Sequence, residues 1–201
     1  PPNLVDAYPI EDNILRLEFD RNLDVATASN PANYSLASRN DGSTVDAAAV
    51  EGGAGRFVQL TITSVRADGD IENVSGQNIG SAGCPSCLMS PPQARTFVNG
   101  VVDIKTLQAP DPAMLSSFDD RSRYAGTGTA PGTKFTFRGV CTGNYQPLFY
   151  LQDANSGLRS GISVFAPIAP LVRGHKYRIT GQVQEFDFET EVVNTVQIVD
   201  E

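Results

Sequence analysis

Apolar and polar residues alternate in short runs along this chain, and helical spacing is almost absent. Leu15, Leu17 and Phe19 alternate with Ile14, Arg16 and Glu18, the period-2 signature of a strand with one face buried. Val58, Leu60 and Ile62 alternate with Phe57, Gln59 and Thr61 in the same way. Turn-forming clusters separate these runs: Asn30-Pro31, Asn40-Asp41-Gly42 and Gly52-Gly53-Ala54-Gly55. Short strands broken at this frequency predict a sandwich rather than βαβ units. From Gly76 to Pro92 the periodicity is lost in a stretch rich in Gly, Ser and Pro. The expected organisation is therefore a sandwich over residues 1–82, a linker over 83–93 and a second domain over 94–201.

The second half carries a long polar insertion from Ala109 to Gly132, followed by strand candidates at 134–141, 148–152, 160–165, 176–184 and 191–199. Several contain an internal glycine, such as Gly139 or Gly181, where a small barrel must bend. Five short strands of this kind suggest an OB-type barrel. The expected fold class is all-β, a sandwich followed by a small barrel, and periodicity alone does not fix the barrel's topology.

Composition narrows the function classes. The 201 residues are 40% hydrophobic and 19% charged, too apolar for a disordered chain, and no run approaches the length of a membrane-spanning helix. No membrane insertion is expected. A net charge of -8 argues against a polycation built to neutralise DNA or an anionic membrane. The single histidine, His175, excludes chemistry that needs two imidazoles and reads as an exposed turn residue. The acidity is uneven: residues 1–92 hold 5 basic and 12 acidic side chains, whereas residues 93–201 hold 10 and 11. A chain that begins Pro1-Pro2 reads as a processed protein or an excised fragment.

The three cysteines are Cys84, Cys87 and Cys141. Cys84 and Cys87 lie in a Gly-Ser-Pro-rich segment without a second ligand pair, so a local disulfide is favoured over zinc or thioredoxin-type chemistry, with free thiols as the alternative. A closed pair fits a secreted protein. Asp68, Asp70 and Glu72 place oxygens at alternate loop positions, as calcium sites do, but Asn73 stands where such loops need glycine and no Glu follows at the twelfth position. An acidic turn is the favoured reading. Asp187, Glu189 and Glu191 recur with period 2 and read as a solvated hairpin rather than paired catalytic acids. No nucleophile and base can be assembled around any of these groups, so no enzyme activity and no cofactor are expected.

Two stretches carry family resemblances. Ala7-Tyr8-Pro9-Ile10, Asn13 to Phe19, Leu23-Asp24 and Asn30-Pro31-Ala32-Asn33-Tyr34-Ser35-Leu36 together resemble bacterial Ig-like domains of the surface-layer type. That resemblance covers about residues 3–80 and implies a spacer or adhesion module without catalytic residues. Lys134 to Cys141, Phe149 to Asp153 with Gly157, and Leu171 to Val183 resemble OB-fold domains found beside secreted bacterial nucleases; His175 stands where that family usually has Asp. This second resemblance covers about residues 95–200, and the two together imply an all-β fold, an Ig-like β-sandwich followed by an OB-fold β-barrel.

An OB barrel binds single strands by stacking bases on aromatic rings and tracking phosphates with Lys and Arg. If Phe149, Leu151, Tyr177, Ile179 and Val183 are core, alternation turns Tyr150, Arg138, Lys176, Arg178 and Thr180 outward. Tyr150, Arg138, Lys176 and Arg178 are the candidate ligand-binding residues, for single-stranded nucleic acid or a glycan; plain solubilising charges are the competing reading. The expected function is a non-enzymatic spacer plus ligand-attachment module of an extracellular or cell-surface bacterial protein, with self-association through edge strands as a further candidate. The alternative is the accessory nucleic-acid-binding portion of a secreted nuclease.

Overall fold

The computed structural model describes residues 1–37, 43–63, 69–110, 112, 121–126, 132–155, 157–165, 170–187 and 189–201. The chain forms two compact units, Pro1–Gly100 and Val101–Glu201.

Seven strands are described in the first unit: β1 (Leu4–Glu11), β2 (Ile14–Phe19), β3 (Tyr34–Ala37), β4 (Val45–Val50), β5 (Phe57–Ile62), β6 (Ile71–Gly76) and β7 (Gln93–Val98). They make a four-stranded sheet in the order β1-β2-β5-β4 and a three-stranded sheet in the order β3-β6-β7. This is the four-plus-three strand order of a constant-type Ig-like sandwich. The alternation in β2 works as its pattern predicts: Leu15, Leu17 and Phe19 are buried while Ile14, Arg16 and Glu18 are half-buried on the opposite face. Val58 and Leu60 of β5 meet the same core, joined by Val74 of β6 and Phe97 of β7. Each large apolar side chain removed from water there contributes roughly 1.5–3 kcal/mol.

The unit boundary falls later than the expected linker at 83–93. A constant-type sandwich needs a seventh strand, and β7 supplies it by pairing antiparallel with β6 from Ile71↔Val98 to Gly76↔Gln93. The intervening loop is packed into the same unit: Ile79 and Met89 are buried, and the Met89 amide donates to the Ile79 carbonyl at 2.9 Å. Cys84 and Cys87 close its tip at disulfide distance, S–S 1.93 Å.

The polar residues of the first resemblance turn out to hold backbone. Leu23 is buried, and the Asp24 carboxylate caps the short helix α1 (Val25–Ala28) by accepting from the Thr27 amide at 3.0 Å. The Asn30 side chain accepts from the Ala32 amide at 3.1 Å across the 3-10 turn begun by Pro31. Asn33 Nδ2 donates to the Thr27 carbonyl at 2.8 Å, and the buried Tyr34 hydroxyl donates to the Ala28 carbonyl at 2.7 Å. Burial pushes the Tyr34 phenol well above its ordinary pKa.

In the second unit, β8 (Val101–Asp103) and α2 (Ile104–Leu107) precede five strands: β9 (Lys134–Tyr145), β10 (Leu148–Gln152), β11 (Gly161–Phe165), β12 (Lys176–Phe186) and β13 (Glu189–Asp200). The pairings β9–β10, β10–β11, β11–β13, β13–β12 and β12–β9 return to their start, so the five close into a barrel; only β11–β13 is parallel. Phe135, Phe137, Phe149, Leu151, Ile179 and Val183 are buried.

Two glycines permit the closure. A Cβ on Gly181 would lie 2.7 Å from Val192 Cγ1 and 3.0 Å from the Val193 carbonyl oxygen; one on Gly139 would lie 2.9 Å from Ile104 Cδ1. The β12–β13 register shifts between Thr180 and Gln182, where a bulge bends the wall. Part of the polar insertion is held against this barrel: Ser122 and Tyr124 are buried, and the Ser122 amide donates to Glu185 Oε1 at 2.9 Å.

Candidate ligand-binding surface

The backbone places the four candidate residues in two different settings. Alternation along β10 buries Phe149 and Leu151 and leaves Tyr150 outward, 38% exposed. Its ring meets that of Tyr145 edge-on, with centroids 6.0 Å apart. Both rings lie over Gly143, where a Cβ would come within 3.1 Å of Tyr150 Cδ2 and 3.2 Å of Tyr145 Cε2. Tyr145 is 73% exposed. Cross-strand pairing sets Leu148 opposite the exposed Phe165, one outward position along from Tyr150. The result is an open patch of aromatic and aliphatic surface on β9, β10 and β11. Tyr145 carries no signal in the sequence, because the pattern ends the first barrel strand at residue 141, whereas β9 runs on to Tyr145.

The three cations gather elsewhere. Arg138 of β9 is directly cross-strand from Arg178 of β12, and Lys176 follows on the same outward face. All three approach the side chain of Glu201: Arg138 Nε lies 3.2 Å from Oε1, Lys176 Nζ 3.1 Å from Oε2 and Arg178 Nε 3.8 Å from Oε1. Burial works upward on the Glu201 carboxyl, but the hydrogen bonds and charges of Lys176 and Arg138 outweigh it and hold its pKa below the ordinary glutamate value. Five residues of β9 separate Arg138 from Gly143, roughly 16 Å at about 3.3 Å per residue. The three cations meet at Glu201, and the nearest of them along the sheet to the tyrosines is Lys176, which pairs with Val140 three residues of β9 before Gly143. Glu201 carried no motif signal. Thr180, expected outward with Arg178, is instead buried, its Oγ1 2.8 Å from that of its cross-strand neighbour Thr136.

His175 sits in the turn before β12, exposed, with Nδ1 2.8 Å from Asp200 Oδ2. Asp187 occupies the β12–β13 turn at positive φ and Glu189 opens β13, while Glu191 Oε1 accepts from Gln184 Nε2, so these carboxylates edge a hairpin. Of the calcium candidates, Asp68 lies outside the described residues; Asp70 is exposed, and Glu72 Oε1 accepts from Asn99 Nδ2 at 3.2 Å. Among the described residues no group of three or more His, Cys, Asp or Glu is placed to hold a metal ion. Cys141 is a free, buried thiol whose pKa burial pushes up. No described helix is long and apolar enough to cross a membrane.

Asp153, which closes the aromatic-aromatic-aliphatic-Gln-Asp run, has a structural task. Its two carboxylate oxygens accept from the amides of Ile104 at 2.8 Å and Lys105 at 3.1 Å, capping α2 from a different part of the chain.

The sequence matches no protein-family model and no curated protein. Among solved structures it is similar to the S-layer protein rSbsC(31-844), at 11% identity and TM-score 0.45, over 99% of this chain and 23% of that one. It is also similar to surface layer protein SbsC, domains 1-6, at 11% identity and TM-score 0.44, over 96% of this chain and 26% of that one. The N-terminal part of the bacterial S-layer protein SbsC gives 12% identity and TM-score 0.42, over 99% of this chain and 43% of that one. The chain thus spans under half the length of each.

Proposed function

We propose that this chain is a non-enzymatic, exported β module of a bacterial cell-surface or extracellular protein. In this reading the sandwich acts as a spacer, and the barrel is an OB-fold domain that attaches a ligand. Three features support it. The strand ring β9-β10-β11-β13-β12, with one parallel pair, is the order expected of a five-stranded OB barrel. The polar motif residues Asp24, Asn30, Asn33 and Asp153 are occupied in capping backbone rather than in chemistry. The paired Cys84 and Cys87 fit an oxidising compartment.

The observation that carries the choice of ligand is the separation of rings from cations. A single-stranded nucleic acid needs stacking rings and phosphate-tracking cations side by side. Here Tyr145 and Tyr150 stand together, while Arg138, Lys176 and Arg178 converge on Glu201. The tyrosine patch suits an uncharged polymer that presents flat apolar faces and hydroxyls, a neutral glycan. Titration of the whole chain with neutral oligosaccharides tests this, with Tyr150→Ala as control. Saturable binding lost in the variant is expected; equal binding by both proteins would contradict it.

A further inference from the structure

We infer that Ser163 and Glu191 continue the Tyr150 surface across the barrel wall as the polar groups that select a neutral, hydroxyl-bearing sugar over an acidic one. The inference rests on the glycan reading of the tyrosine patch and adds to it the residues that set specificity.

The register is the first argument. Residues paired directly on neighbouring strands share one face of the sheet. Tyr150 pairs with Gly143 on one side and with Ser163 on the other. Ser163 pairs in turn with Glu191 across the parallel β11–β13 junction, and Glu191 pairs with Gln184. Tyr150 is outward, so Ser163, Glu191 and Gln184 take the outward face with it. The next pair of the same junction, Val164 and Val192, is buried in the barrel, as the alternation requires. With strands about 4.8 Å apart, ring, hydroxyl and carboxylate span about 10 Å, the reach of a short oligosaccharide laid across the strands.

The Ser163 hydroxyl is the second argument. Ser163 is 2% exposed, yet its Oγ has no hydrogen-bond partner. The buried hydroxyls of Thr136 and Thr180, by contrast, satisfy each other. A buried hydroxyl left unpaired costs stability, so an alanine in its place would serve the fold at least as well. A local defect of this kind is retained where a ligand completes it. Thr195 Oγ1 also lacks a partner, but Thr195 lies beside Gly181 on the inner side of the wall, away from the row.

Charge is the third argument. Gln184 Nε2 donates to Glu191 Oε1, and among the described residues Oε2 has no partner. An ionised carboxylate accepts hydrogen bonds and donates none, so Glu191 takes sugar hydroxyls and repels a uronic acid. The Tyr150 ring leans over Gly143, on the side away from Ser163. Ser163 is reached when the half-buried Glu191 side chain turns from Gln184 to the ligand.

The test is calorimetric titration of the whole chain with cellohexaose, chitohexaose and hexagalacturonic acid, alongside urea denaturation of each variant. The parent chain should bind a neutral hexamer about tenfold or more tighter than the acidic one. Ser163→Ala should weaken neutral binding about fivefold, the worth of one hydrogen bond, while its unfolding midpoint stays level or rises. Glu191→Gln keeps an acceptor and should lower the discrimination against hexagalacturonic acid about tenfold. Ser163→Ala binding as tightly as the parent, while Tyr150→Ala loses binding, would overturn this inference and leave the glycan reading standing. A destabilised Ser163→Ala chain would also overturn it, by showing the hydroxyl to be structural, and discrimination unchanged in Glu191→Gln would remove Glu191 from the row. Binding of neither neutral hexamer by the parent would count against both readings.

Discussion

The sandwich and the barrel use their polar side chains in opposite ways. Around α1 in the sandwich, Asp24, Thr27, Asn30, Asn33 and Tyr34 all satisfy backbone or one another within a few ångströms. The Gly80 amide, from the loop that ends at β7, donates to Thr27 Oγ1 at 2.9 Å and joins the same network. In the barrel, the capping work falls to Asp153, the tyrosine pair stands open, and Arg138, Lys176 and Arg178 converge on Glu201. A motif rich in polar residues can therefore be wholly architectural, as around α1, or can mix tasks within five residues, as where the open Tyr150 and the capping Asp153 share one run.

That contrast can be broken most severely at the barrel wall. Gly181→Ala puts a methyl group against Val192 and the Val193 carbonyl and should cost about 1–3 kcal/mol by overpacking. Chemical denaturation would measure the loss. Removing the caps should compare the two units directly. Asp24→Ala and Asp153→Ala should each cost about 1 kcal/mol, with Asp24→Ala the larger because Thr27 and Gly80 share its network. Thermal unfolding checks the order, and a larger loss for Asp153→Ala would reverse the account of which unit depends on polar caps. Tyr145→Ala should leave stability within about 0.5 kcal/mol, as expected of an exposed side chain, while weakening glycan binding.

The smallest effect is electrostatic. The folded-state pKa of Glu201 is lowered, so its contribution is present above the unfolded pKa and is lost as pH falls through the folded one. Glu201→Gln should therefore flatten the acid limb of the stability profile and leave the limb above neutrality unchanged. An acid limb identical in both proteins would show that the ion pairs add nothing to stability.

The elements that were legible in the sequence are those whose information is local. The alternation in Ile14–Phe19 gives its strand and buried face directly, and residues 148–152 form a strand over those same bounds. Gly139 and Gly181 sit where the barrel walls crowd, as their position inside apolar runs suggests. The rest depends on partners far along the chain. Gln93–Val98 shows little alternation, since four of its six residues are not buried, and its pairing with β6 spans the loop from 77 to 92. Its membership in the sandwich follows from sheet order and not from its own residues. The Glu201 cluster is still less visible, because it needs the register of three strands at once, and a period of two fixes which face a residue takes but not which neighbours it meets.

The division between rings and cations is the point on which the functional reading rests, and a paired titration followed through the Tyr145, Tyr150, Arg138 and Arg178 amide signals tests it most directly. With a neutral oligosaccharide, the tyrosine signals should move saturably and the arginine signals should stay still; oligo-dT should leave the tyrosines unmoved. Concerted movement of all four on oligo-dT would contradict the account and restore a nucleic-acid surface.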